Sequence, residues 1–228
     1  MIPSPLNGPD GAIARNAVPP AGSLSQSRDE TPRSQRRRLK EATDAAHRRL
    51  DAALSRFDLA DAGDYGRFLA VHALALPCLE EALAQGGFDL ACPGWSGGRR
   101  GAALLADLAG LGREPGACPT APAVRGAEAW GVAYVLEGSR LGGKVLARRV
   151  TRGGGPAARA NARFLNAPAA LPWSRFVERM ERALPSPADG DAAIRGALMA
   201  FATFEEAVAR FAGPRAPSVG DVGMGERT

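Results

Sequence analysis

Apolar residues recur at helical spacing through most of the chain between about residues 34 and 212, and no stretch alternates convincingly at period two. The pattern therefore predicts an all-α protein. A first helix is expected from about Pro32 or Ser34 to Phe57, with Leu39, Ala42, Ala46, Leu50, Ala53, Leu54 and Phe57 on its apolar stripe. Asp61 has the side chain of an N-cap for a second helix, Ala62 to Ala84, which Pro77 should distort near Ala73 to Leu76. After a glycine-rich connection a short helix is expected over Ala102 to Leu111, and a long one from about Ala123 to Val150. Short helices over Ala157 to Leu165 and Pro172 to Leu184 then lead to a last helix, about Asp191 to Phe211. Residues 1–33 and 213–228 lack any period and are rich in Pro, Gly and small residues, so both are expected to be disordered extensions of one helical domain, 34–212.

Charge narrows the partners. The chain of 228 residues has a net charge of +5, which suits an anionic ligand or an acidic protein. No zinc-finger, helix-turn-helix or RNP-like motif accompanies the charge, so nucleic acid ranks last. Cys78, Cys92 and Cys118 are widely spaced and form no C-x-x-C; they are expected to be reduced, in a cytoplasmic protein. No run is expected to span a membrane, and the first residues lack the apolar core of a signal peptide.

Two stretches carry candidate chemistry. Lys40, His47 and Asp51 are spaced by roughly two turns and one turn, so they project from nearly one side of the first helix. A carboxylate one turn from a histidine can hold its Nδ1–H and present Nε2 to a metal. The plain alternative is a surface histidine beside an i,i+4 acid. His72, the other histidine, sits in the apolar stripe of the second helix, where a hydrogen-bonded core role is the simpler expectation. The long helix holds Gly138, Gly142 and Gly143 in its interior, at a cost of roughly 2–3 kcal/mol against alanine. Either these glycines let another helix pack closely, or a kinked helix lays bare backbone against a flat ligand.

The motifs R-L-K-E-A-T-D-A-A-H-R-R-L-D (Arg38 to Asp51) and Y-V-L-E-G-S-R-L-G-G (Tyr134 to Gly143) together resemble the haem oxygenases. The resemblance is in particular to the bacterial, biliverdin-producing type found alongside bacteriophytochromes. It extends through W-S-G-G-R-R-G-A-A-L-L-A-D-L-A-G-L-G (Trp95 to Gly112), A-W-G-V-A-Y (Ala129 to Tyr134) and F-A-T-F-E-E (Phe201 to Glu206). It implies a haem-oxygenase-like helical bundle with haem sandwiched between the first helix and the glycine-rich helix. His47 would be the proximal iron ligand, oriented by Asp51. Gly138, Ser139 and Gly142, with Gly143, would form the distal wall at the reacting edge, and Phe204 a side of the pocket. Lys40 and Tyr134 match propionate-contacting positions, and charge and spacing add Lys144 and Arg148 to that anionic rim. Haem is then both cofactor and substrate, cleaved with O₂ and electrons to biliverdin, CO and Fe²⁺. An acidic donor such as ferredoxin would supply the electrons. Ser139 stands where many members carry an aspartate, which leaves open what holds the distal water. Two other readings remain: a haem or tetrapyrrole carrier without turnover on the same fold, and, more remotely, a related all-α fold acting on thiamin-like or quinone precursors.

Overall fold

The computed structural model describes residues 34–117 and 122–211. The two terminal extensions and Cys118 lie outside the described residues. In order the elements are α1 (Gln35–Leu54), α2 (Ala62–Gln85), α3 (Phe88–Ala91), a 3-10 turn (Trp95–Gly98) and α4 (Gly101–Gly110). They continue with α5 (Gly126–Gly153), α6 (Pro156–Ala160), α7 (Arg163–Asn166), α8 (Trp173–Ala183) and α9 (Pro187–Phe211). No strand occurs among the described residues, so the all-α class holds.

Local chemistry sets most helix ends. Ser34 Oγ accepts the Arg37 N–H at 3.3 Å and Asp61 Oδ1 accepts the Asp64 N–H at 2.8 Å, each satisfying an orphan donor of a first turn. At the start of α9, Ser186 and Asp189 bond reciprocally, Ser186 N–H to Asp189 Oδ2 at 3.0 Å and Asp189 N–H to Ser186 Oγ at 3.1 Å. This capping box starts α9 at Pro187 rather than near Asp191. The helix α5 begins at Gly126 instead of Ala123, because Gly126 takes a φ of 58°, which ends any continuation backwards. The single helix expected over Ala157 to Leu165 is two, α6 and α7. They break at Asn161, whose carbonyl accepts the Tyr65 hydroxyl at 2.8 Å.

The helix α2 runs unbroken through Pro77. It corrects one expectation: by length and a mean hydropathy of 1.2 it could cross a membrane, although 72% of that window is buried inside the bundle. Its apolar residues are the core itself: Tyr65, Phe68, Leu69, Leu76, Leu79 and Leu83 are all essentially inaccessible. The cysteine expectation also changes. Cys92 is a free, buried thiol, but Cys78 is disulfide-bonded, so the cysteines give no argument for a reducing compartment.

The site is framed by three helices. α5 and α9 pack most extensively, and α1 lies on α9 as well. The crossing of α5 and α9 is close because Gly131 and Gly196 are there: a Cβ on Gly131 would collide with the Ala193 carbonyl, and one on Gly196 with the Glu128 carbonyl. The start of α1 is fastened to α8, where the Glu181 carboxylate accepts the Gln35 and Arg36 N–H groups, both at 2.9 Å. Held in this way, α1 and α5 both lean on α9 rather than on each other, and a space opens between them.

Candidate active site between α1 and α5

That space is a cavity of about 520 Å³, lined from α1, α2, α5, α7, α8 and α9, within the range of small-molecule and cofactor sites. On the α1 side His47 faces it, with Nδ1 3.0 Å from Asp51 Oδ2. Because the carboxylate accepts, Nδ1 carries the proton and Nε2 keeps its lone pair for a ligand. Phe201 of α9 supports the ring edge-on, the centroids 6.0 Å apart at 72°. Among the described residues no group of three or more His, Cys, Asp or Glu could hold a bare metal ion. His47 therefore suits a metal that brings most of its own ligands, as a porphyrin does.

Across the cavity, α5 stays helical through Gly138, Gly142 and Gly143. Their surroundings decide between the two readings of these glycines. A Cβ at Gly142 would meet nothing within 4 Å, one at Gly138 only the Trp173 ring at 3.8 Å, and one at Gly143 only the Leu165 carbonyl at 3.8 Å. Among the described residues only the Trp173 side chain of α8 comes near Gly138 and no other helix comes near Gly142; both glycines line the cavity. The bare strip of backbone faces the cavity.

The remaining expected residues divide. Lys40 and Tyr134 line the cavity, as do Asp51, Ser139, Gly143 and Phe204. Tyr134 stacks obliquely on Trp173, centroids 5.6 Å apart, and burial raises its phenol pKa while the nearby Arg36 charge opposes the rise. Arg36, itself in the lining, thus joins Lys40 and Tyr134 as an anion-binding candidate. Lys144 lines a separate hollow of about 330 Å³, bounded by Arg140, Lys144 and the Asn166–Ala169 segment. Arg148 is exposed and lines neither space.

Several cavity residues escaped the sequence reading. Arg100 is the most consequential. Its guanidinium is 4% exposed, donates to Ser139 Oγ at 2.8 Å and to the Leu136 carbonyl at 3.0 Å, and lies over the Phe164 ring. Its Nε is buried with no partner among the described residues. Burial first, then the neighbouring Arg140, lowers its pKa to about 10, against the pull of Glu137 and Glu80. Glu80 fixes its backbone, accepting the Arg100 and Gly101 N–H groups at 2.6 and 3.0 Å. Only the R-R pair in a glycine-rich loop hinted at this; the loop's position beneath Ser139 is tertiary information. His72 is half-buried, donates its Nδ1–H to the Phe68 carbonyl at 2.8 Å, and lines the cavity rather than sitting wholly in the core. Burial lowers its pKa to about 4, so the ring is neutral. Phe164, above Arg100, comes from the four-residue α7, pinned by fully buried Asp107, which accepts the Phe164 N–H at 2.7 Å and Arg163 Nη1 at 3.3 Å.

A haem fits this arrangement. The space is flat-walled by glycine on one side, offers one oriented imidazole on the other, carries cations at the Lys40 end, and leaves an unsatisfied buried donor, Arg100 Nε, at its edge. No family model matches the chain. Among solved structures it is similar to the haem oxygenase of Neisseria meningitidis, crystallised in NO- and CO-bound forms. The TM-score is 0.64 at 24% identity, over 81% of this chain and 95% of that one, a likeness that establishes the fold. Among curated proteins it is similar to a haem oxygenase of Xanthomonas campestris pv. campestris (strain 8004). The two are 38% identical over 157 residues, 68% of this chain and 94% of the relative. Similarity of that degree over nearly the whole of the relative places this chain in the haem oxygenase family.

Proposed function

We propose that the protein is a haem oxygenase that binds haem between α1 and α5 and cleaves it to biliverdin, CO and Fe²⁺. The observation that carries this reading is the His47–Asp51 pair facing the uncovered backbone of Gly138 and Gly142 across a cavity of about 520 Å³. Bound haem would supply the iron that activates O₂; the chain's part is to bind, orient and manage protons. His47 would offer its Nε2 to the iron, with Asp51 holding the ring in orientation at Nδ1. Arg36, Lys40 and Tyr134 would receive the propionates and so fix the rotation of the ring in its plane. The glycine backbone comes closer than any Cβ would allow and restricts where O₂ can lie. Ser139 is held by Arg100 and by the Leu136 carbonyl, to which its hydroxyl donates at 2.7 Å. Together the two residues would order water on the distal side, the task an aspartate has in many family members. Neutral His72 adds an acceptor at Nε2.

We infer further that the protein works in the cytoplasm, that an acidic ferredoxin or similar donor supplies the electrons, and that the biliverdin serves a bacteriophytochrome. The sequence resemblance and the positive net charge support these points. An absorbance titration with haemin tests the core of the reading. A Soret band should form at one haem per chain and then decay into the broad red absorbance of biliverdin, with CO trapped, once ascorbate or ferredoxin and its reductase are added in air. A stable Soret band under electron supply would replace this reading with haem carriage. Covalent chromophore loading of a co-expressed bacteriophytochrome tests the use of the product.

A further inference from the structure

Arg100 and Ser139 meet at 2.8 Å although they come from different elements, the loop after the 3-10 turn and α5. Glu80 of α2 holds the Arg100 end of that loop. The other end is held from α5, by residues flanking Ser139 in the same turn of helix. Glu137 accepts the Trp95 Nε1–H at 3.1 Å. Arg140 donates Nε–H to the second oxygen of Glu137 at 2.8 Å, an Nη2–H to the Gly98 carbonyl and an Nη1–H to the Pro168 carbonyl at 3.3 Å. Its three nitrogens thus serve its own helix, the 3-10 turn and the connection between α7 and α8. Gly98 is the meeting point: a Cβ there would lie 2.8 Å from the Ala170 amide nitrogen and 3.2 Å from Arg140 Nη2. Glu137 and Arg140 are nearly closed off from solvent, at 8% and 10% side-chain exposure, and neither lines the main cavity.

We propose that Arg140 is a positioning residue for the distal side of the cavity, clamping the 3-10 turn so that Arg100 reaches Ser139; the inference rests on the oxygenase reading above. Geometry rather than charge is its contribution. Arg140 lowers the Arg100 pKa and Glu137 raises it, so the two members of the pair act on Arg100 in opposite directions. A buried ion pair also adds little net stability over a well-packed apolar replacement. What an apolar pair could not do is tie carbonyls from two separate segments to one helix, which takes the fixed fork of donors that a guanidinium carries. Released from Arg140, the turn would keep its Glu80 anchor but lose its register on α5, and the Arg100 guanidinium would lose its approach to Ser139.

The test reads the distal side without turnover. In the ferric haemin complex, the pH midpoint at which distal water on the iron becomes hydroxide is followed by the Soret band. A guanidinium held nearby favours the hydroxide, so Arg140→Met should raise the midpoint by about one unit. In an Arg100→Met background the same change should add nothing, because Arg140 acts through Arg100. Arg140→Lys keeps the charge but not the fork and should behave like Arg140→Met. Gly98→Ala keeps every charged group, displaces the junction, and should shift the midpoint in the same direction. If Arg140→Met fails to fold with Glu137 left unpaired, Glu137→Gln with Arg140→Met carries the same prediction. Arg67→Met, which removes a 2.9 Å pair with Asp64 away from the cavity, should leave the midpoint unchanged. An unchanged midpoint in Arg140→Met would overturn the proposal, as would full rescue by lysine or an equal rise in the Arg100→Met background. Absence of any haemin complex in the parent would instead count against the oxygenase reading. Hydrogen exchange of the haem-free protein then decides whether Arg140 holds the loop: the Arg99, Arg100 and Gly101 amides should exchange about tenfold faster in Arg140→Met, and exchange at the parent rate would overturn the proposal.

Discussion

Gly131 and Gly142 lie on the same helix and are glycine for opposite reasons. At Gly131 the side chain is missing because α9 is already there: the Ala193 carbonyl occupies the place of a Cβ. At Gly142 nothing among the described residues, beyond its own stretch of helix, lies within 4 Å of that place. The first glycine is explained by the folded chain; the second is not, and its open surroundings leave room for a ligand. Spacing could not separate the two cases, because a small residue every fourth position serves either purpose. The space around each residue does separate them.

Substitution at the crossing should have the largest effect. Gly131→Ala must displace backbone rather than a flexible side chain, and overpacking of that kind costs on the order of 3 kcal/mol or more; a denaturant titration would show it as a lowered midpoint, and Gly196→Ala should behave alike. Second comes acid sensitivity, which belongs to the open region. His72 titrates near 4 in the fold and near 6.5 when unfolded, so the unfolded chain binds more protons between these values. Stability from this group is complete above about pH 6.5 and is lost as pH falls toward 4, by at most about 3 kcal/mol. Urea melts across that range should lose this slope in His72→Phe. Third, Gly142→Ala should stabilise the haem-free protein by about 0.5–1 kcal/mol through helix propensity, while haem affinity falls on the order of tenfold, about 1.4 kcal/mol. A loss of haem-free stability there would break the contrast drawn between the two glycines. The smallest effect is expected from Asp51→Ala, whose ion pair is more than half exposed and should move haem-free stability by less than about 1 kcal/mol. In the haem complex the same change should weaken the iron–histidine bond, seen by resonance Raman.

What the sequence disclosed follows the range of the interactions involved. The caps Ser34 and Asp61, the stripe of α2 and the one-turn pairing of His47 with Asp51 depend on residues within a few positions, and these were legible. The break at Asn161 was not, because Tyr65 holds that carbonyl from another helix. Arg100 stayed hidden for the same reason: it reaches Ser139 only after Glu80 has fixed its loop. The propionate rim was half legible. Lys40 and Tyr134 reach the cavity, whereas Lys144 and Arg148 share their charge but point elsewhere, and Arg36 takes their place in the lining. Charge alone does not say which way a long helix turns its cations.

The anchoring of α7 has a consequence in time rather than in space. A helix of four residues has no stability of its own, so the wall that carries Phe164 depends on tertiary contacts: the Asp107 carboxylate that holds its amide and the packing of Phe164 and Leu165 in the core. In hydrogen exchange the Phe164 amide should be protected well beyond its neighbours in so short an element, and Asp107→Asn should release it at a rate set by local rather than global unfolding. The frequency of such local openings of α7 would then set how often the pocket opens far enough to take in a flat, rigid substrate and to let out a longer, flexible product.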